Sequence, residues 1–355
     1  MLKPEKENVI PDILKEFLQK QYKMEFKKQL GKGSFGEVYE ILVNNVPFAI
    51  KIFRNDRNNT FEKKISNEIK FSLYLMGNNV IRTLKSGSAI NDGKKYYFLF
   101  MEKAKFRDLS IFIHNFFQCN LLNMMNSKTK FPWIYNFSEE TIKFFAYQII
   151  ESLKFLDFNS LIHFDLKPEN LLLGDNFIVK LSDFSEAIQF NHKQKYISIQ
   201  NGTYHYMSPE YYNQDKEVTV SVAKTLDFFS FGCILYNMIT REDLIKANFN
   251  EEGKIIKPKK SEVENYIKKG IENMKNFKDY CNELKILINK LININPEKRP
   301  TINELILDKW INQEYDIVKK VKDINAFQKL KIFVELQKVS CIKKVSKKRR
   351  KFNIE

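Results

Sequence analysis

The chain has 355 residues and a formal charge of +16, from 59 lysines and arginines against 43 aspartates and glutamates. A hydrophobic share of 43% excludes a disordered polyelectrolyte, and the lack of any apolar run of about eighteen residues excludes a membrane-spanning helix. The four cysteines, Cys119, Cys233, Cys281 and Cys341, show no C-x-x-C spacing and read as reduced thiols of an intracellular protein.

Residues 1–25 read as an N-terminal extension; its start, Met1 to Asn8, is charged and has no signal-peptide core. Leu30 to Val38 reads L-G-K-G-S-F-G-E-V, with glycines at 31, 33 and 36. Glycine there lets the backbone approach phosphates and adopt positive φ. A dinucleotide-binding turn needs a helix directly after such glycines. Glu37 to Val43 is instead β-branched and aromatic, which predicts a strand and makes the hairpin a lid over a nucleotide. The turn Asn44-Asn45 leads into Phe48 to Phe53, where Lys51 sits inside an apolar run and needs a partner. A helix is expected over Thr60 to Leu75, with Phe61, Ile65, Ile69, Leu73 and Met76 on one buried face. Tyr96 to Met101 reads as a buried strand, and Asn115 to Phe137 as a surface loop. The string H-F-D-L-K-P-E-N at 163–170 places a carboxylate, an ammonium and an amide at offsets of zero, two and five. That set suits moving a phosphoryl group from ATP to a hydroxyl. Asp165 can accept the hydroxyl proton, Lys167 can neutralise charge on the phosphate, and Asn170 can hold a magnesium ion.

These strings, in this order, resemble eukaryotic protein kinases over about residues 26–311. The resemblance implies an α+β, two-lobed fold. A small N-lobe at about 26–101 would hold an antiparallel sheet and one main helix. A larger, mostly helical C-lobe would fill about 105–311, followed by a basic amphipathic tail at 312–355. The family pattern puts Leu30, Gly31, Lys32, Gly33, Ser34, Phe35, Gly36 and Val38 in the ATP lid, with Ala49 in the pocket. Lys51 would contact the α- and β-phosphates and pair with Glu68, with Glu62 as the competing glutamate nearer the helix start. Met101 would be the gatekeeper. Glu102 and Ala104 would offer backbone groups to adenine, and Asp108 would lie near the ribose and the peptide groove. Asp183, in I-V-K-L-S-D-F-S, would chelate the magnesium that bridges the phosphates. Gly202 to Glu210 resembles the end of an activation segment, Leu226 to Cys233 the start of a buried helix, and Asn295 to Thr301 a late arginine motif. Arg299 of that motif would pair with Glu210. Lys167 and Thr203 fit the serine/threonine branch, and Ile306 to Ile311 resembles the calmodulin-dependent-kinase-like group.

Departures from the family pattern carry their own expectations. Phe164 stands where many kinases have an arginine that grips a phosphate on the activation segment. Activation is therefore not expected to depend on a phosphorylated residue docking there, although Tyr196, Ser198 and Thr203 can be modified. Ser185 replaces a glycine and tolerates fewer backbone states, which is expected to restrict flipping of its segment. The region Met238 to Gly270 lacks a G-x-x-P-F loop and carries Lys254, Lys257, Lys259 and Lys260. Glu169 and Asp108 match acidic positions that receive a basic residue upstream of the target.

In the tail, Phe327, Leu330, Phe333 and Leu336 sit at helical spacing among lysines. Such a helix can bind a calmodulin-like partner, block the substrate groove, or pack on the C-lobe. Lys343, Lys344, Lys347, Lys348, Arg349, Arg350 and Lys351 can form a nuclear-import signal, an anionic contact or a solvated end. The expectation is an intracellular, cytoplasmic serine/threonine kinase using ATP and Mg2+, with nuclear entry open to it through that cluster. The alternatives are a pseudokinase scaffold and, less well supported by the residues, a nucleic-acid binder acting through the tail.

Overall fold

The computed structural model describes residues 10–312 except 34, 54–58, 92, 114–136, 192, 201, 213–216, 247 and 251–254. Ser34, nearly all of the expected surface loop, the start of the extension and the tail beyond 312 thus lie outside the described residues.

The N-lobe is a five-stranded antiparallel sheet of β1 (Met24–Lys32), β2 (Gly36–Val43), β3 (Val46–Phe53), β4 (Thr83–Asn91) and β5 (Lys94–Glu102), in the order β1-β2-β3-β5-β4. Asn44 and Asn45, at φ 49° and 64°, make the two-residue turn between β2 and β3. Asparagine tolerates that left-handed backbone, and such turns match the twist of a hairpin. Side chains alternate along β3. Ile50 and Ile52 join one buried cluster, while Ala49 and Phe53 join another that includes Leu99 and Met101.

The outer face is covered by residues 10–22. Helix α1 (Asp12–Tyr22) buries Leu14 and Leu18, and Ile10 lies one turn earlier on the same face. These three pack with Tyr39, Ile41, Phe98 and Phe100. Residues 10–25, read from the sequence as an extension, are therefore part of the N-lobe core.

Helix α2 (Asn59–Tyr74) lies on the cleft side. Its fully buried stripe is Ile65, Glu68, Phe71, Ser72 and then Leu75. The expected face was different: Ile69 and Leu73 are only half-buried, and Met76 is 77% exposed. The helix turns a polar strip inward because Glu68 faces the lysine of β3, which shifts the whole stripe by about a residue.

The C-lobe is built on α3 (Glu139–Phe158), α4 (Val220–Thr240), α5 (Lys260–Met274) and α6 (Asn282–Leu291), with short α7 (Ile302–Ile306) and α8 (Lys309–Asn312). Ser138 caps α3 by accepting the N–H of Thr141. Helix α4 is apolar nearly all round and is buried from Leu226 to Thr240, as a helix without a polar face must be. Two of its buried hydroxyls find partners: Ser230 donates to the Tyr206 carbonyl at 2.8 Å and Thr240 to that of Tyr236 at 2.9 Å. Short ladders set the loops between α3 and α4. Strand β6 (Leu161–Ile162) pairs with β9 (Ile188–Gln189), β7 (Leu171–Leu173) with β8 (Val179–Leu181), and β10 (Tyr196–Ser198) with β11 (Glu217–Thr219). After α4 the chain forms a two-stranded ladder of β12 (Asn248–Phe249) and β13 (Ile255–Ile256). Among the described residues, no helix is long and apolar enough to cross a membrane.

Candidate active site

A cleft of about 620 Å3 opens between the lobes. Of the residues singled out from the sequence, Leu30, Gly31, Val38, Ala49, Lys51, Glu68, Met101, Glu102, Ala104, Asp108, Glu169, Asn170 and Asp183 line it. Lys32, Gly33, Phe35, Gly36, Asp165, Lys167, Thr203 and Glu210 do not. The lid glycines also differ from expectation, because none of the three has positive φ. Gly31 and Gly33 face open space, whereas a Cβ on Gly36 would lie 2.2 Å from the Ile52 carbonyl oxygen. Gly36 is thus required by the close approach of β3. Phe35 turns away over Phe61 of α2, with ring centroids 5.6 Å apart.

Lys51 projects from β3 and is 8% exposed. Its Nζ donates to both oxygens of Glu68, at 2.6 and 2.7 Å, and lies 3.5 Å from Asp183. Glu62, the competing glutamate, is exposed. Burial pushes the Glu68 carboxyl up to about 7 despite the pull of Lys51. Burial works against ionisation of Asp183 too, but there the Lys51 charge and the Ser185 hydroxyl outweigh it and hold the carboxyl at about 2. Lys51 itself stays charged: its burial is outweighed by Asp183 and Glu68.

Glu169 and Asn170 bring the 163–170 string to the cleft wall, and Asp165 and Lys167 belong to the same string without lining the cleft. Asp165 Oδ1 accepts the Thr203 N–H at 2.9 Å and its hydroxyl at 2.8 Å. Its Oδ2 lies 2.7 Å from Lys167 Nζ, which also donates to Thr203 Oγ1 at 2.6 Å. Asn170, which lines the cleft, donates its amide to the Asp165 carbonyl at 2.7 Å and to Asp165 Oδ2 at 3.2 Å. The β7–β8 hairpin then fixes where Asp183 starts, because the Ser182 N–H donates to the Asn170 carbonyl at 2.9 Å. The Asn170 oxygen and the Asp183 carboxylate are hard oxygen donors of the kind Mg2+ takes. Asp108 uses Oδ1 to cap the helical turn that follows, accepting from the Ile111 N–H at 3.1 Å and from Ser110.

Two departures are accommodated. Ser185 does not adopt positive φ, so no glycine is needed there, and its hydroxyl donates to Asp183 Oδ1 at 2.8 Å. Phe164 is held at φ 64°, a region costly for a bulky residue. The Asp227 carboxylate pins it by accepting the His163 and Phe164 N–H groups at 2.7 and 2.9 Å. Its ring packs with Phe190, Ile197, Ile199, Met207 and Tyr211.

A model of the protein kinase domain matches residues 24–311. The chain belongs to the protein kinase family. Its relatives include 3-phosphoinositide-dependent protein kinase B of Dictyostelium discoideum, 27% identical over 79% of this chain and 28% of the relative. Probable serine/threonine-protein kinase nek3 of the same organism is 29% identical over 85% of this chain and 25% of the relative. Human mitogen-activated protein kinase kinase kinase 5 is 26% identical over 79% of this chain and 18% of the relative. The chain thus spans about a quarter or less of two of these relatives and 28% of the third.

Two residues that place this kinase cleft were not singled out for it in the sequence. Asp227 could have been found as a lone carboxylate in the apolar string L-D-F-F-S-F, which must be buried and so must find donors. Gly202 gave no such sign. Its role comes from the Phe164 carbonyl, which a Cβ would meet at 2.6 Å.

Proposed function

We propose that the chain transfers the γ-phosphoryl group of ATP to serine or threonine hydroxyls of proteins. The observation that carries this reading is the double assembly around the cleft. Lys51 is paired with Glu68 and close to Asp183, while Asp165 is oriented by Thr203, Lys167 and Asn170. In the proposed reaction the lid and Lys51 position the phosphates, Asp165 takes the hydroxyl proton, and Lys167 neutralises charge on the moving phosphoryl group. Asn170 and Asp183 would hold Mg2+, which supplies charge neutralisation at the phosphates. The Lys167–Thr203 contact supports the serine/threonine branch. Glu169, on the cleft wall, supports a preference for basic residues N-terminal to the target. The Ser185 hydroxyl, which donates to Asp183 Oδ1 at 2.8 Å, orients the metal-side carboxylate and so supports an active enzyme over a pseudokinase.

Magnesium-dependent phosphorylation of a basic serine peptide tests the reading. Asp165→Asn is expected to lower the rate by about a hundredfold or more while ATP affinity changes little. No turnover in the wild type, with ATP still bound, would replace the reading with a pseudokinase.

A further inference from the structure

Three side chains at consecutive turns of α2 reach the segment just after Asp183. Lys64 Nζ pairs with the Glu186 carboxylate. Asn67 donates to the Ala187 carbonyl at 3.4 Å, and Lys70 donates to Gln189 at 3.3 Å. The spacing of three residues puts them on one edge of the helix. Glu68 stands one turn beyond Lys64, so the edge that grips the activation segment adjoins the side chain that holds Lys51.

The Lys64–Glu186 contact is the shielded member of the set. Its side chains are 17% and 7% exposed. The second Glu186 oxygen has no hydrogen-bond partner among the described residues, which leaves Lys64 as the group that balances this carboxylate. An ion pair so withdrawn from water is expensive to break from one side only. The same ammonium lies 5.0 Å over the ring of Phe35 in the lid. Lys64 therefore touches the lid, α2 and the chain three residues past Asp183 at once.

Resting on the kinase reading above, we propose that Lys64 is a positioning residue for phosphoryl transfer. Its pair with Glu186 ties α2 to the activation segment and so holds Glu68 against Lys51. The tie uses a carboxylate of the chain itself where Phe164 leaves no receiver for a phosphate. Any swing of α2 away from the cleft must strip Glu186 of its counter-ion, so the ordered arrangement is built into the sequence.

The test is a double-mutant cycle of Lys64→Met, Glu186→Gln and the pair together, with Lys64→Arg as the conservative variant. Two quantities are read: kcat and KM for a basic serine peptide, and hydrogen exchange of the α2 backbone amides. Each single variant is expected to lower kcat about tenfold, to leave peptide KM within about twofold, and to speed α2 exchange. The double variant should be no worse than either single one, and Lys64→Arg should stay near wild type. Wild-type kcat and α2 protection in Lys64→Met would overturn the proposal, as would singles whose effects multiply in the double. If Lys64→Met does not fold, Glu186→Gln carries the same readouts. If the wild type transfers no phosphoryl group, it is the kinase reading that fails. Exchange in α2 then still decides the tie, faster in both singles if it exists and unchanged if it does not.

Discussion

At the residue scale, the cleft sets two buried charges, Lys51 and Glu68, beside the partly exposed Asp183, and the conflict is centred on Glu68. Its carboxyl is pushed up to about 7 from an ordinary 4.5, first by burial and then by Asp183, against the attraction of Lys51. A folded-state pKa above the unfolded one contributes stability that is fully present below 4.5 and is lost as pH rises through 7. Glu68→Gln is therefore expected to gain stability relative to wild type as pH rises from 5 to 8. Phosphoryl transfer should fall in the same variant at pH 8, because Lys51 loses its ionic partner there. A calorimetric scan at the two pH values checks the sign. A lower melting temperature for the variant at both would mean that the ion pair outweighs the burial cost. The partnership itself was legible in the sequence, since a lysine inside F-A-I-K-I-F must be neutralised by something. The inward-turned stripe of α2 was not. Apolar spacing pointed to Met76, and only the position of Lys51 across the cleft rotates the helix to bury Glu68.

At the element scale, the activation segment is held by contacts that need no phosphate. Phe164 fills the space beneath it among Ile197, Ile199 and Met207, and β10 pairs with β11 from Tyr196 to Ser198. Among the described residues, the Ser198 hydroxyl donates to an exposed glutamate, Glu217, at 3.3 Å. Ser198→Ala is accordingly expected to keep phosphoryl transfer within about twofold of wild type, since a surface substitution away from buried networks changes little. Phe164→Ala should behave differently. Removing a buried ring costs about 3–5 kcal/mol in a core that relaxes only partly, and the activation segment loses its floor. Limited proteolysis should then cut between 188 and 200 in Phe164→Ala and spare that stretch in Ser198→Ala. That phenylalanine replaces a charged receiver could be read from the string H-F-D. That it serves as a plug depends on Phe190, Ile199 and Tyr211, which are scattered along the chain and meet only in the fold.

At the scale of the whole molecule, the activation segment is fastened to the C-lobe by Arg299 and Glu210, 89 residues apart in sequence. The guanidinium donates to the carboxylate at 2.9 Å, to the Asn293 carbonyl at 2.9 Å and to Thr225 at 3.4 Å, and its side chain is fully enclosed. Arg299→Ala is expected to destabilise the protein by about 3–5 kcal/mol, because it leaves Glu210 buried without its cation. Arg299→Met combined with Glu210→Gln should recover much of that loss, as the charge that needed a partner is gone. Chemical denaturation of the three proteins measures both numbers, and equal losses in the single and double variants would mean that packing matters more than charge. Helix α1 belongs to the same scale. Leu14 and Leu18 are apolar enough to predict a buried face, but nothing local says that the face they meet is the outer side of a sheet ending at residue 102.

The sequence by itself determined the family, the lid hairpin with the lysine strand and the helix that follow it, and the identity of the charged groups at the cleft. Those properties are carried by short strings whose chemistry is local: glycines before a strand, a lysine among apolar neighbours, a carboxylate, an ammonium and an amide within six residues. Tertiary structure alone decided that residues 10–22 complete the N-lobe, that Gly36 and Gly202 sit where backbone approaches closely, and that Lys64 meets Glu186 122 residues later. The physical reason is that burial, close approach and the balance of a buried charge are set by atoms distant in the chain, and no window of sequence contains both sides of such a contact.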